Sequence, residues 1–317
     1  MRRWLLRILL LLFIVIFIVP FLIPLNPTGV DPRTLASDGG QFIEIEGLDT
    51  YYVERGPDDG QALLLVHGLG GSTFSWRENI GALAEAGYHV IALDRPGFGL
   101  TEKTLDFDVS APSQADFLAA FLDARGVDHA VLVGHSAGGG IIAYFALKYP
   151  ERVAGLVFVD AALGGGAPPF VGTLAGFAPF TRWIEIGARL LLTPERYGDL
   201  LASAYHDPAL ATEAVRAGYT KVLQTPNYDQ AFAALVRDSG GNNFPKDRLG
   251  ELDMPALLIW GRDDTWVRLA SGEQLADALP NDALIIYDNV GHMTMEEAPE
   301  QFNADVIAWL EGLGEPG

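Results

Sequence analysis

Six apolar runs of strand length set the strongest limit on how this chain can fold. They are ALLLVHG (62–68), YHVIALD (88–94), HAVLVGH (129–135), VAGLVFVD (153–160), PALLIWG (255–261) and ALIIYDN (283–289), with helical patterns between them. The runs are continuously apolar rather than alternating, which is typical of parallel strands buried on both faces. Parallel strands need crossover helices, so the pattern predicts a doubly wound, mostly parallel α/β sheet. An earlier stretch, QFIEIEGLDTYYVERG, alternates around Gly47–Asp49 and predicts a β-hairpin.

The alternation of apolar runs and helical patterns is interrupted once, by residues 163–250, which separate the fourth run from the fifth. That is far longer than an ordinary crossover. The segment is helical in pattern, and we expect a helical cap inserted over the carboxyl edge of the sheet, where ligands bind in such folds. Its aromatic residues Phe170, Phe177, Phe180 and Trp183 would suit an acyl chain, or they form the core of a small helical subdomain. The α/β core then comprises residues 41–162 and 251–317.

The N-terminus carries an apolar run from Ile8 to Leu25 that only Pro20 and Pro24 interrupt. A run of this length can span a hydrocarbon core. Three arginines precede it, so the positive-inside rule leaves the N-terminus in the cytoplasm. We therefore expect a single-pass membrane anchor over residues 1–25, a linker over 26–40 and the main domain on the extracytoplasmic side. Cleavage of a signal peptide, followed by secretion, is the alternative.

Composition excludes several classes of function. The 317 residues include 41 acidic and 21 basic side chains, a formal net charge of −20, which disfavours nucleic-acid binding. There are no cysteines, so disulfides and cysteine nucleophiles are excluded. No H-E-x-x-H motif or paired ligand spacing is present, and the glycine-rich loop HGLGG matches neither nucleotide-binding pattern. The sequence therefore predicts neither a metal nor a cofactor.

The stretch GHSAGG places a serine between the third apolar run and a helical pattern. Residues 134–138 match G-x-S-x-G in the strand-to-helix context of a nucleophile elbow. The sharp turn strains the backbone of the serine, and side chains two residues away on either side would collide. A helix-capping serine explains the hydroxyl but not both glycines. We therefore predict that Ser136 is a nucleophile, placed where the helix N-terminus favours an oxyanion.

A serine nucleophile needs a base, and the base needs an orienting carboxylate. His292 follows the last apolar run, at the edge where Ser136 emerges, so its position selects it as the base. We expect His89 and His129, at strand starts, to lie at the surface, and the remaining histidines are His67, His135 and His206. Asp263 and Asp264 follow the penultimate run. We prefer Asp264 as the acid, with Asp160 as the runner-up; a turn or capping role is the alternative for each.

An oxyanion hole needs two backbone donors. The residue after the nucleophile, Ala137, supplies one N–H group. The second should come from the glycine-rich loop after the first apolar run, and we nominate the Leu69 N–H.

Five segments together resemble the α/β-hydrolase fold enzymes over residues 40–312. HGLGGS, DRPGFGLT, GHSAGG, WGRDD and VGHMTMEEAPEQF are similar to that family's signature segments and occur in its order. In members that resemble G-x-x-D, the acid falls where Asp264 stands. DRPGFG resembles a turn of dehalogenases, epoxide hydrolases and C–C bond hydrolases, and the resemblance implies a mainly structural role for it.

The nucleophile narrows the reactions that the resemblance implies. Dehalogenases and epoxide hydrolases attack with an aspartate, whereas Ser136 indicates acyl chemistry through an acyl-enzyme. The chain resembles the esterase and monoacylglycerol lipase branch, so we expect a small-molecule or lipid ester as substrate. A C–C bond hydrolase or a perhydrolase-like enzyme would use the same triad. A non-catalytic ligand-binding homologue is the third alternative, although a pure binder needs no triad.

Overall fold

The computed structural model describes residues 2–25, 28–164, 168–241 and 243–313. The remaining positions, which fall in the expected anchor, linker, cap and core, lie outside the described residues: 1, 26–27, 165–167, 242 and 314–317.

Eight strands form one sheet in the order β1-β2-β4-β3-β5-β6-β7-β8. The strands are β1 (Gly40–Ile45), β2 (Leu48–Arg55), β3 (Ala62–Val66), β4 (His89–Leu93), β5 (Ala130–His135), β6 (Val153–Val159), β7 (Ala256–Gly261) and β8 (Asp282–Tyr287). β2 runs antiparallel to both β1 and β4, and every pair from β4 to β8 is parallel. The predicted doubly wound sheet is confirmed: five of the six apolar runs contain a whole strand, and β8 begins one residue before the sixth run, at Asp282.

The predicted hairpin is the antiparallel pair β1 and β2. Ile45 pairs with Leu48 across a two-residue turn, and both turn residues have positive φ, 50° at Glu46 and 80° at Gly47. Such a turn matches the right-handed twist of the two strands it joins. Gly47 therefore supplies the backbone freedom that the turn requires.

Helices cover both faces of the sheet. They are α1 (Arg2–Phe17), α2 (Val19–Leu22), α3 (Ile80–Glu85), α4 (Ala111–Arg125), α5 (Ala137–Lys148), α6 (Pro169–Ala175), α7 (Ala178–Leu191), α8 (Pro194–Ala202), α9 (Glu213–Thr220), α10 (Tyr228–Asp238), α11 (Leu269–Ala278), α12 (Thr294–Glu297) and α13 (Pro299–Gly312). Short 3₁₀ helices occupy Pro32–Leu35, Thr73–Trp76, Pro150–Arg152, Pro208–Leu210, Lys221–Gln224, Ser239–Gly241 and Lys246–Glu251.

The central strand β3 shows why the apolar runs do not alternate. Leu64 and Val66 pack into a core with α4 and α5, whereas Leu63 and Leu65 pack into a second core with α3 and α13. Successive side chains of a strand point to opposite faces, so a sheet with two covered faces needs apolar residues at every position.

The helices α6 to α10 lie between β6 and β7, within the interval that the sequence set apart. We call residues 163–250 the insertion. It is joined to the rest of the chain by polar contacts: the Tyr197 hydroxyl donates to the Gly70 carbonyl at 2.6 Å, and the Tyr205 and Tyr219 hydroxyls donate to the Glu296 carboxylate. The division of the chain into a core and a cap stays a prediction.

The expected membrane anchor is not supported. The apolar run forms two helices instead of one: α1 is 16 residues long and ends at Phe17, and α2 covers only Val19–Leu22. Proline at position 20 cannot donate to the carbonyl of Ile16, four residues earlier, and its ring crowds that carbonyl. Within the described ranges, no helix is long and apolar enough to cross a bilayer.

Side chains of α7 satisfy the carbonyls that this break exposes. Trp183 Nε1 donates to the Ile16 carbonyl at 3.2 Å, and Arg182 donates to the carbonyls of Pro20 and Ile23 at 3.4 and 3.0 Å. The ring of Phe17 packs edge-on against Phe177 and Phe180. The N-terminal helices are therefore docked on the insertion.

Candidate active site

Ser136 lies at the turn between β5 and α5 in a strained conformation. Its φ is +50° and its ψ is −121°, a region that residues other than glycine rarely adopt. Three backbone hydrogen bonds hold the turn: Ser136 N–H donates to the Val159 carbonyl at 2.9 Å, and the Ser136 carbonyl accepts from the N–H groups of Gly139 and Ala162. The strain is thus fixed by neighbouring backbone.

The glycines around Ser136 are required by close backbone approach. A Cβ at Gly134 would lie 2.7 Å from the Gly138 carbonyl oxygen, and a Cβ at Gly138 would overlap the Val66 carbonyl oxygen. On the neighbouring loop, a Cβ at Gly68 would lie 2.8 Å from the Ser136 Cβ. The loop after β3 therefore touches the elbow.

His292 and Asp264 form a buried hydrogen-bonded pair. His292 Nδ1 lies 2.7 Å from Asp264 Oδ2, and both side chains are almost fully buried. The other carboxylate oxygen of Asp264 accepts the backbone N–H groups of Trp266 and Val267. An ionised carboxylate can only accept, so this hydrogen bond places a proton on Nδ1, and the neutral form of the imidazole then has its lone pair on Nε2.

The neighbouring aspartates have other partners. Asp263 is half-exposed and lies 3.3 Å from Nδ1 of His206. Asp160, at the end of β6, is fully buried with a φ of +44°, and it accepts from the Gly261 N–H at 2.9 Å and the Thr294 hydroxyl at 2.7 Å. Burial, and secondarily the charge of Asp264, raise the pKa of Asp160 well above its ordinary value.

Asp160, Asp264 and His292 also form a trio of possible metal ligands, with one ligand atom from each within 4.8 Å of the others. The donor atoms of the trio are already engaged in the hydrogen bonds within the protein that are described above.

His135 and Trp266 enclose the imidazole of His292. His135 Nε2 lies 2.8 Å from the His292 carbonyl oxygen, and the two rings are 4.8 Å apart. Burial lowers the pKa of His135 to about 3, so at neutral pH it is an uncharged donor to that carbonyl. Trp266 stacks on the His292 ring at 5.4 Å. Sequence reasoning missed both contacts, since no motif marks them.

The insertion fastens the loop that carries His292. The His292 N–H donates to the Ala204 carbonyl at 2.8 Å. The Glu297 carboxylate accepts three backbone N–H groups, those of Gly291, Met293 and His206, at 2.9, 3.2 and 2.8 Å. The loop is therefore clamped by residues 204–206 of the insertion and by its own glutamate.

The remaining histidines lie away from this pair in other settings. His129 is exposed, as expected. The expectation for His89 is wrong: it is only 6% exposed, because it packs against Glu54 with Nε2 at 2.6 Å from the carboxylate. His67 is fully buried in the loop after β3, where burial lowers its pKa well below the ordinary value.

Comparison with known proteins identifies the family. The family model described as the alpha/beta hydrolase fold matches residues 61–299. The chain belongs to the α/β-hydrolase fold family. This α/β hydrolase is 32% identical over 272 residues to a 2-hydroxy-6-oxononadienedioate/2-hydroxy-6-oxononatrienedioate hydrolase of Burkholderia vietnamiensis, covering 83% of this chain and 91% of that one.

Two solved structures are also similar to this α/β hydrolase. A meta-cleavage product hydrolase from Pseudomonas fluorescens has a TM-score of 0.73 and 27% identity, covering 86% of this chain and 98% of that one. A membrane phospholipase A, described as a bacterial virulence factor, has a TM-score of 0.71 and 28% identity. That similarity covers 100% of both chains.

Proposed function

We propose that this α/β hydrolase cleaves its substrate by attack of Ser136 on a carbonyl carbon. The supporting observation is the 2.7 Å hydrogen bond between His292 and Asp264, which leaves Nε2 of His292 able to accept a proton. In the proposed mechanism His292 takes the proton of the Ser136 hydroxyl as its Oγ bonds to the carbonyl carbon. Asp264 holds the imidazole in the required tautomer and stabilises its positive charge.

The remaining steps follow from the same groups. The carbonyl oxygen becomes an oxyanion, for which we propose the N–H groups of Leu69 and Ala137 as donors. His292 then gives its proton to the leaving group as the tetrahedral carbon collapses to an acyl-enzyme. A water molecule, deprotonated by His292, attacks the acyl carbon, and His292 then gives that proton to Ser136 Oγ as its bond to the acyl carbon breaks and the acid is released.

For the substrate we propose a carboxylic ester with a lipid acyl chain. The support is the similarity to the phospholipase, which extends over this whole chain, including the docked N-terminal helices. Those helices pack Phe17 against the aromatic residues of the insertion that the sequence suggested for an acyl chain. The apolar N-terminus thus adds Phe17 to the aromatic residues of the insertion.

Hydrolysis of a C–C bond is the second candidate, and the curated relatives favour it. The named substrate of the Burkholderia enzyme is a dienedioate, and a buried carboxylate needs a charged partner. Several arginines of the insertion are already paired with its own acids: Arg182 with Glu185, Arg189 with Asp229, Arg216 with Asp199 and Arg237 with Asp238. An anionic dienone would have to compete with those acids, which weighs toward the ester.

The test compares the wild type with Ser136→Ala. Both proteins are treated with a fluorophosphonate probe and assayed on p-nitrophenyl esters of increasing chain length and on a 2-hydroxy-6-oxo-dienoate. We expect the wild type to label and to turn over the longer esters, and Ser136→Ala to lose roughly 10⁴-fold or more of that activity. Ser203→Ala, which removes an exposed hydroxyl from the insertion, is the matched control and should behave as wild type.

Each other outcome has a definite meaning. Turnover of the dienoate with little ester hydrolysis would replace the lipid ester by the second candidate. If the wild type neither labels nor turns over any of these compounds, the proposal of a serine nucleophile is wrong.

A further inference from the structure

Arg95 is a buried cation with neutral hydrogen-bond partners. It follows β4, is only 2% exposed, and donates to the Gly68 carbonyl at 2.9 Å and to the side-chain oxygen of Gln114. Its guanidinium lies 4.3 Å from the centre of the Phe98 ring, and within the described residues its Nε has no partner. Burial lowers the pKa of Arg95 to about 9, so the side chain is still charged at neutral pH.

A charge in this setting is costly to the folded state. Removing an ion from water without an opposite charge costs several kcal/mol, and neutral donors and acceptors recover only part of it. The loop turn that Arg95 serves could be held by an uncharged side chain at a smaller cost. The charge therefore needs a role beyond holding the turn.

The Gly68 carbonyl is the group on which the contacts converge. It accepts from Arg95, from the Gly71 N–H at 3.2 Å and from His67 Nδ1 at 2.8 Å. The tautomer of His67 is set by the backbone of the same arginine, whose N–H donates to Nε2 at 3.0 Å. Nε2 must then be unprotonated, so Nδ1 is the donor.

This convergence fixes the orientation of the next N–H group. A trans peptide is planar, so the Leu69 N–H points in the opposite direction to the Gly68 carbonyl. The carbonyl faces Arg95 and His67, and the Leu69 N–H makes no hydrogen bond within the described part of the chain. Gly68 itself is so close to the elbow that an added Cβ would meet the Ser136 Cβ at 2.8 Å.

We infer that Arg95 is a positioning residue for the oxyanion hole. It locks the Gly68–Leu69 peptide so that the Leu69 N–H is presented to the oxyanion, and its cation at the carbonyl end of that peptide makes the N–H a stronger donor. The inference rests on the proposed function, because it requires a tetrahedral oxyanion on a substrate bound to Ser136.

The test is Arg95→Gln in the full chain, with hydrolysis of a p-nitrophenyl ester as the activity. Removing one oxyanion donor costs about 10²–10³ in kcat, so a misaligned donor should lower kcat by roughly ten- to a hundredfold with KM nearly unchanged. An alkyl trifluoromethyl ketone, which forms a tetrahedral adduct with the serine, should bind more weakly by the same factor. Arg95→Lys keeps the charge but loses the planar fork, and it should recover part of the loss.

Arg125→Gln is the matched control. Arg125 also has a buried, unpartnered Nε within the described residues and lies over an aromatic ring, that of Tyr52, but it is paired with Glu54 at 2.7 Å and lies at the end of α4, before β5 begins at the amino edge of the sheet. It should lose stability without a change in kcat or in affinity for the ketone.

The outcomes separate the inference from the function on which it rests. If Arg95→Gln keeps the wild-type kcat, or loses kcat without losing affinity for the ketone, Arg95 has only a structural role and the inference is wrong. If Arg95→Gln does not fold, Gln114→Met releases one side of the guanidinium and should lower kcat severalfold at constant KM; an unchanged kcat there overturns the inference. A wild type that hydrolyses nothing overturns the proposed function and the inference together.

Discussion

The two halves of the candidate site are held in different ways. On the nucleophile side, Ser136 is fixed by backbone contacts inside the α/β core, where glycines let three chain segments touch. On the histidine side, the His292 loop is held by hydrogen bonds that reach across long stretches of sequence, to Ala204 of the insertion and to His135. The nucleophile side depends on the absence of side chains at its glycines, whereas the histidine side also needs the side chains of His135 and Glu297.

This difference indicates where each half can tolerate change. A missing hydrogen bond costs a limited amount, because neighbouring bonds remain. The cost of an added atom that overlaps the backbone is not limited in this way, since whole strands and helices must shift to accommodate it. The nucleophile side should therefore be the more sensitive of the two.

The largest effect is expected for Gly138→Ala. The new Cβ would overlap the Val66 carbonyl oxygen, so β3 and α5 would have to separate. We expect the free energy of unfolding to fall by about 1–3 kcal/mol and ester hydrolysis to fall by more than tenfold. Chemical denaturation and steady-state kinetics measure both.

Gly187→Ala in α7, where a Cβ meets nothing within 4 Å, is the control and should be neutral or slightly stabilising. Equal behaviour of the two variants would contradict the comparison.

A smaller effect is expected for Glu297→Gln on the histidine side. The amide has a single acceptor oxygen, so either the His206 N–H or the pair from Gly291 and Met293 loses its partner. An unsatisfied buried N–H group costs about 1–3 kcal/mol, so the His292 loop should be less firmly held, kcat should fall about tenfold and the free energy of unfolding should fall by no more than that amount.

Glu296→Gln provides the control for that variant. Glu296 is the preceding residue and is more deeply buried than Glu297, and its carboxylate binds Arg77 and two tyrosine hydroxyls rather than the His292 loop. It should lower the free energy of unfolding and leave kcat nearly unchanged. If instead Glu297→Gln keeps full activity, the clamp on the His292 loop does not matter for turnover.

The smallest effect on turnover is expected for Asp160→Asn, because Asp160 only ties the end of β6 to Gly261 and Thr294. Because the folded-state pKa of Asp160 is raised, its contribution to stability is complete below the ordinary pKa and is lost as the pH rises toward the folded value. Asparagine does not titrate. The variant should therefore gain stability relative to wild type as the pH rises above about 4, with a slope of at most about 1.4 kcal/mol per pH unit. Urea denaturation from pH 4 to 8 measures the difference; a constant difference across that range would show that Asp160 does not titrate differently on folding.

Sequence patterns predicted the sheet well because burial on both faces leaves a local signal. Leu63 to Val66 face two cores in alternation, so an uninterrupted apolar run is required there. The same reasoning did not hold for the N-terminal apolar run. Its length suggested one spanning helix, but Pro20 removes a donor, and Trp183, more than 160 residues away, supplies a replacement to Ile16. A count of apolar residues does not contain that contact.

In the candidate site, too, some residues could be predicted from sequence patterns and others could not. Ser136, Asp264 and His292 were nominated from strand ends, and the structure pairs the last two. Their supports were not foreseen, because His135, Ala204 and Glu297 act on backbone groups that any residue carries. Arg95 lay in a segment interpreted as structural, and only the position of the Gly68 carbonyl reveals its second role.

Gly138 has a consequence for how this protein can vary. Every other amino acid carries a Cβ, so every missense change at this position meets the same obstacle at the Val66 carbonyl, whatever the chemistry of the new side chain. A complete substitution scan should therefore find no tolerated residue there, whereas Gly81, Gly187 and Gly250, whose Cβ positions are open, should accept many. Substitutions that persist in this protein should therefore be rare at the elbow and more frequent at open helix positions such as Gly81 and Gly187.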